Sequence, residues 1–154
     1  MADRLPRAVV DVNVLLRIIL TKKPEGVAAA LWELLVERRF EIVTSESLLK
    51  ELRDTLLVPE LADVHGWSPD RIAEYVDALR ESAVMVSGAS PVDLPELAER
   101  DPSDLPLIAA AVEADAVIVT QDADLLDLAG TGQDLEILDP LQFLVKLREL
   151  YRAS

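Results

Sequence analysis

A chain of 154 residues suits one domain spanning residues 1–154, and at this length folding buries roughly 70% of the surface that the unfolded chain exposes. The composition is 51% hydrophobic and 29% charged with no cysteine, which excludes a disordered chain, a disulfide scaffold, thiolate zinc sites and cysteine nucleophiles. Net charge is −14, unevenly spread: residues 1–77 carry 10 basic and 14 acidic side chains, residues 78–154 carry 5 and 15, and taken alone such a deficit of Lys and Arg argues against non-specific nucleic-acid binding.

The amino-terminal stretch MADRLPRAVVDVNVLLRIIL is apolar, but Asp11, Asn13 and Arg17 interrupt it and no small-residue cleavage site follows. It reads as neither a membrane span nor a leader, so a cytoplasmic protein without a membrane partner is expected. Within this stretch residues 8–12 form the first predicted strand. Asp11 and Asn13 stand two apart in it, a spacing that puts both on one face of an extended chain. A carboxylate in an apolar run is costly to bury alone, so it implies a metal ion or a helix N-terminus beside it. The alternative is that Asp11 or Asn13 caps a helix beginning near Val14.

A helix over residues 24–38 follows, patterned by Ala28, Leu31, Trp32 and Leu35, an apolar stripe that faces the sheet or a partner subunit. Residues 40–43 read as the second strand, ending at Thr44 and Ser45, which open a helix bearing Leu48, Leu49, Leu52 and Leu56. At 100° per residue Glu51 falls about 60° beyond the edge of that leucine stripe, a position that points toward a cleft or simply into solvent. His65, the only histidine, sits in a turn-like segment and reads as an ordinary surface or turn residue. Ser68, Pro69 and Asp70 mark a helix start, residues 83–86 a third strand, and Pro91 and Pro95 a loop over residues 87–100.

Residues 100–106, RDPSDLP, place Asp101 and Asp104 at a helix start, where either serves as cap or dipole partner. Residues 116–119 form the fourth strand, ending in Thr120, Gln121, Asp122, Ala123 and Asp124, again either a polar site or an N-cap. Residues 135–138 are the fifth strand, Asp139 and Pro140 a cap, and residues 141–151 a closing helix. Continuous apolar strands alternating with helices specify an α/β class, a three-layer α/β/α arrangement around a central, mainly parallel five-stranded sheet. With one histidine and no GxxxxGK[ST], GxGxxG or GxSxG sequence, histidine-based hydrolysis, phosphate loops, dinucleotide sites and nucleophile elbows lack support. Carboxylates at the strand ends remain.

In this order the segments VVDVNVLL, SESLLKEL, DPSDLPLIAAA, VIVTQDADLL and ILDPLQFL resemble a PIN domain, in particular the small bacterial type that serves as the toxin of a toxin-antitoxin pair (VapC-like ribonucleases). The resemblance covers nearly the whole chain. Carried over residue by residue, it implies catalytic and metal-site acids at Asp11, Glu51, Asp104 and Asp122, with Asp124 an additional acid and Asp101 a second acid in the Asp104 segment. Asn13, Ser45 and Thr120 match supporting, hydrogen-bonding positions. Four converging carboxylates repel one another by roughly 4 kcal/mol per close pair at an effective dielectric near 20 unless cations or protons intervene, so such a cluster implies bound metal. All-oxygen ligation suits Mg2+ or Mn2+. The resemblance further implies an RNA substrate, a cognate antitoxin and a homodimer.

Three other readings compete. A haloacid-dehalogenase-like phosphatase needs a DxDxT-like opening, and Asp11, Val12, Asn13, Val14, Leu15 lacks the second acid and the threonine. A phospho-accepting receiver domain needs an acidic pair after the first strand and a lysine after the fifth, where Ile137, Leu138, Asp139 and Pro140 stand. A non-catalytic PIN-like interaction module keeps the acids without the chemistry.

Overall fold

The computed structural model describes residues 4–88, 104–128 and 135–152. They form the strands β1 (Arg7–Val10), β2 (Glu41–Thr44), β3 (Val84–Met85), β4 (Val117–Val119) and β5 (Ile137–Leu138). The helices are α1 (Val12–Leu20), α2 (Val27–Val36), α3 (Glu46–Leu56), α4 (Pro59–His65), α5 (Pro69–Ser82), α6 (Leu105–Ala114), α7 (Ala123–Leu126) and α8 (Pro140–Arg152).

Sheet order is β3-β2-β1-β4-β5, and every pairing among the described residues is parallel. The register sets Val9 beside Val43 and Ile118. Strand residues alternate between two cores, as a pleated strand requires. Ala8, Val10, Ile42 and Val119 join α1, α2, α3, α5 and α8 on one face, while Val9, Val43, Ile118 and Ile137 pack with α6 and α7 on the other. This is the expected three-layer α/β/α fold, in which β1 to β3 and their crossover helices build outward on one face and the chain then returns to lay β4 beside β1. The order also differs from the 2-1-3-4-5 sheet of receiver domains, so that alternative is corrected by topology.

The position of that return defines where a ligand belongs. In an open parallel sheet the crevice forms outside the carboxyl ends of the strands at the point where strand order reverses, here between β1 and β4. Helix α6 precedes β4 and packs antiparallel over it, so its first turn lies at the same end of the sheet. It packs on the sheet through Leu107, Ile108, Ala110, Ala111 and Ala114, all buried, and the three alanines let the helix approach the sheet closely.

Most strand bounds shift or shorten by one or two residues relative to the sequence expectation, and two boundaries bear on residues singled out from the sequence. β1 ends at Val10 and α1 begins at Val12, so Asn13 is an exposed residue of a helix rather than a strand neighbour of Asp11. The run stays apolar throughout because α1 buries Val12, Val14, Leu15, Leu16 and Ile18, so apolar content alone does not mark where strand becomes helix. The predicted helix over residues 24–38 is shorter, Val27–Val36; of its stripe Leu31 is fully buried and Trp32 is 39% exposed.

Candidate active site

Asp11 is the first residue beyond β1. It occupies the N-cap position of α1 in extended geometry (φ −56°, ψ 142°), yet its carboxylate makes no capping bond to that helix. Instead Oδ2 accepts a hydrogen bond from Thr120 Oγ1 at 2.8 Å. The two residues meet because the β1–β4 ladder continues one step past the strands, with the Asp11 amide donating to the Val119 carbonyl at 2.9 Å. Thr120 is completely buried. A hydroxyl has one proton, and with that proton on Asp11 the oxygen accepts from the Asp122 amide at 3.0 Å.

Asp122 in turn caps α7: its side chain accepts from the Asp124 amide at 2.9 Å. The capping and functional readings of this segment are therefore compatible, because one carboxylate oxygen closes the cap and the other stays a donor atom. Asp124 is exposed in the first turn of α7. Thr120 thus ties together two of the predicted acids from segments over a hundred residues apart.

Asp104 is half-buried at the N-cap position of α6. Glu51 is exposed on α3, whose buried residues are Leu48, Leu49, Leu52 and Leu56. An open hollow of about 510 Å³ is lined by Lys50, Glu51 and Asp54 of α3 and by Pro106 of α6, so the helix carrying Glu51 borders the first turn of the helix carrying Asp104. Ser45 is fully buried as the N-cap of α3, its hydroxyl accepting from the Leu48 amide at 3.3 Å. Asp101 lies outside the described residues. Among the described residues no three His, Asp or Glu side chains form a group shaped to hold a metal ion; what the structure links, through the Thr120 hydroxyl, is the Asp11 carboxylate and the Asp122 backbone amide.

The donor chemistry at this end of the sheet is carboxylate oxygen alone. His65 is not available to it, since Nδ1 accepts from the Trp67 amide at 2.8 Å and Nε2 bonds the Leu56 carbonyl at 2.9 Å. The histidine joins the end of α3 to the turn before α5, a role its turn-like surroundings alone did not reveal. Hard oxygen donors without sulfur or imidazole fit Mg2+ or Mn2+.

The cations of the less acidic half do not share one face. Arg17 is exposed on α1, one turn beyond Asn13, and Arg53 lies on α3 next to its partner Asp54 at 3.4 Å. Arg38 and Arg39 precede β2 at the amino end of the sheet, away from the acids, with Arg39 stacked on Tyr151 at 5.0 Å. Lys50, on the rim of the Glu51 hollow, was not singled out from the sequence; its position directly before Glu51 was the available signal.

Comparison with known proteins agrees with this fold. Uncharacterized protein MJ1680 of Methanocaldococcus jannaschii is 28% identical over 131 residues, covering 85% of this chain and 80% of that protein. Three solved structures share the fold. They are VapBC2 from Rickettsia felis bound to a DNA fragment from their promoter (TM-score 0.54, 14% identity, 86% of this chain and 98% of that one), VapBC-1 from nontypeable Haemophilus influenzae (0.55, 14%, 88% and 98%), and FitAcB from Neisseria gonorrhoeae (0.52, 17%, 87% and 98%). At such identities the likeness is one of architecture. Among the described residues no helix is long and apolar enough to cross a membrane. The PIN domain family model matches residues 7–124, a span that runs from the first residue of β1 through Asp124, and the chain belongs to the PIN-domain family.

Proposed function

We propose that this protein is a divalent-metal-dependent endoribonuclease, the cytoplasmic toxin of a toxin-antitoxin pair. The observation that carries the reading is the Asp11–Thr120–Asp122 linkage at the carboxyl ends of β1 and β4. PIN-family membership supports a nuclease. The likeness to VapBC structures supports an antitoxin partner, and the family resemblance a homodimer.

Asp11, Asp104, Asp122 and Glu51 are the residues that would hold Mg2+ or Mn2+, with Asp124 and Asp101 as further acids. When bound, such an ion supplies Lewis acidity and charge neutralisation for phosphodiester hydrolysis. The chain's own residues do the positioning. Thr120 fixes Asp11 through Oδ2 and leaves Oδ1 as a donor atom, and Asp122 keeps one oxygen after capping α7. Without a cation these carboxylates repel a phosphate backbone, so RNA binding at this site should depend on the ion, with Lys50, on the rim of the Glu51 hollow, and Arg17 as exposed cations on the flanking helices.

Thermal melting during a Mn2+ or Mg2+ titration tests the metal, because a ligand of the native state alone stabilises by about 2.7 kcal/mol at a hundred times its dissociation constant. The rise should appear in the wild type and vanish in Asp11→Asn and Asp122→Asn. A flat titration of the wild type refutes metal binding. RNA cleavage that persists in both variants refutes catalysis at this site and leaves the interaction module as the reading.

A further inference from the structure

A second cavity, of about 300 Å³, opens at the amino end of the sheet, far from the acids, where the start of β1 faces α8. That volume lies at the lower end of the range for small-molecule sites. Its walls are mixed, apolar at Pro6, Val117, Leu147 and Leu150 and charged at Arg7, Asp115, Glu136 and Lys146. Arg7, the first residue of β1, lines it, and the Arg7 Nε is buried without a hydrogen-bond partner among the described residues.

This is unusual on two counts. A buried donor on a charged group is costly to leave unmade, and native structures pair nearly all such groups. Acids are also plentiful: the chain has 29 Asp and Glu against 15 Lys and Arg, and Arg4 and Lys146 each pair with an acid that lines this cavity. Arg4 pairs with Asp115 at 3.7 Å and Lys146 with Glu136. Arg80 on the other side of the molecule bonds Glu46 at 2.8 Å and Asp77 besides. Arg7 alone of this group makes no ion pair among the described residues, although Asp115 and Glu136 line the same cavity.

We infer that this cavity binds a small carboxylic acid with an apolar body, its carboxylate on the Arg7 guanidinium and its body against Val117, Leu147 and Leu150. The guanidinium fork matches the two coplanar oxygens of a carboxylate. Lys146 lines the same cavity as a second cation, while Asp115 and Glu136 line it as well. A phosphate dianion would meet both of those acids at full charge; a monoanion meets half that repulsion.

The test uses the full chain with benzoate and inorganic phosphate as probes, read by calorimetric titration and thermal melting. Benzoate should bind saturably and raise the Tm, and phosphate should bind at least about tenfold more weakly. Arg7→Met should lower benzoate affinity by at least about tenfold while melting no lower than the wild type in benzoate-free buffer, because it removes an unpaired buried donor. Lys146→Met, an exposed substitution that leaves Arg7 in place, should weaken benzoate binding by a smaller factor. The inference is overturned if the wild type shows no saturable benzoate binding, if phosphate binds as tightly as benzoate, or if Arg7→Met retains affinity. It is equally overturned if Arg7→Met melts well below the wild type without benzoate, which would make Arg7 a structural residue. Should Arg7→Met not fold, unchanged benzoate affinity in Lys146→Met decides against it.

Discussion

Thr120 holds the candidate site together with three atoms: its hydroxyl proton goes to Asp11, its oxygen takes the Asp122 amide, and its own amide donates to the Leu138 carbonyl at 3.0 Å. Replacing it by valine keeps the shape and removes the first two bonds. Leaving the half-buried Asp11 oxygen and Asp122 amide without their partner costs at most about 1–3 kcal/mol each, so Thr120→Val should lower the unfolding midpoint in denaturant and abolish the Mn2+ response, whereas Thr120→Ser should retain most of that response. A Thr120→Val protein with an unaltered metal response would show that Asp11 needs no such support. In the sequence, Thr120 and Asp122 were legible as polar residues after an apolar strand and, through the resemblance to PIN domains, as a supporting residue and a metal-site acid. That the threonine bridges two acids required the β1–β4 pairing.

At the scale of elements, the caps decide where the acids stand. Asp139 and Gln142 cap α8 reciprocally, the Gln142 amide donating to Asp139 at 2.7 Å and the Asp139 amide to Gln142 at 2.9 Å, and Ser68 caps α5. Both starts were readable because a cap is a local pattern of residue types. Ser45→Ala should cost about 1 kcal/mol through the lost cap of α3, measured by chemical denaturation, and with it some definition of the Glu51 helix. A less local device ties α6 to the end of β3. Glu113 accepts from the Ser87 hydroxyl at 2.9 Å and the Gly88 amide at 2.9 Å, and Gly88, at φ +74°, stands against Ser45. The Ser87 hydroxyl first, and then the Gly88 amide, hold the Glu113 carboxyl below its ordinary range. A carboxyl with a depressed folded-state value stabilises the fold above its unfolded value and loses that contribution as pH falls through the folded one. The Tm difference between the wild type and Glu113→Ala should therefore be present at neutral pH and shrink below about pH 4. A difference that grows on acidification would contradict the assignment.

Over the whole molecule, the sheet order and the thinness of α6 set the geometry of the crevice. Ala110 is completely buried on the inward face of α6, so Ala110→Leu should overpack that layer and cost about 1–3 kcal/mol, lifting the helix that carries Asp104. Denaturant unfolding reads the cost, and the Mn2+ titration shows whether the displacement reaches the site. Residue types, apolar runs, caps and the order of five motifs were enough to specify an α/β class, a parallel sheet and the PIN family, because each depends on neighbours in the chain. Glu51 and Asp104 were placed by that family pattern more than by their own surroundings, since an exposed helix-flank acid and a helix-start acid look alike whether or not they act. The tertiary structure alone decided that Asn13 leaves the strand, that His65 is engaged at both nitrogens, that Asp11 and Asp122 share one threonine, and that Arg7 faces a cavity. The last two depend on which strands and helices become neighbours, a non-local pairing that no run of adjacent residues encodes.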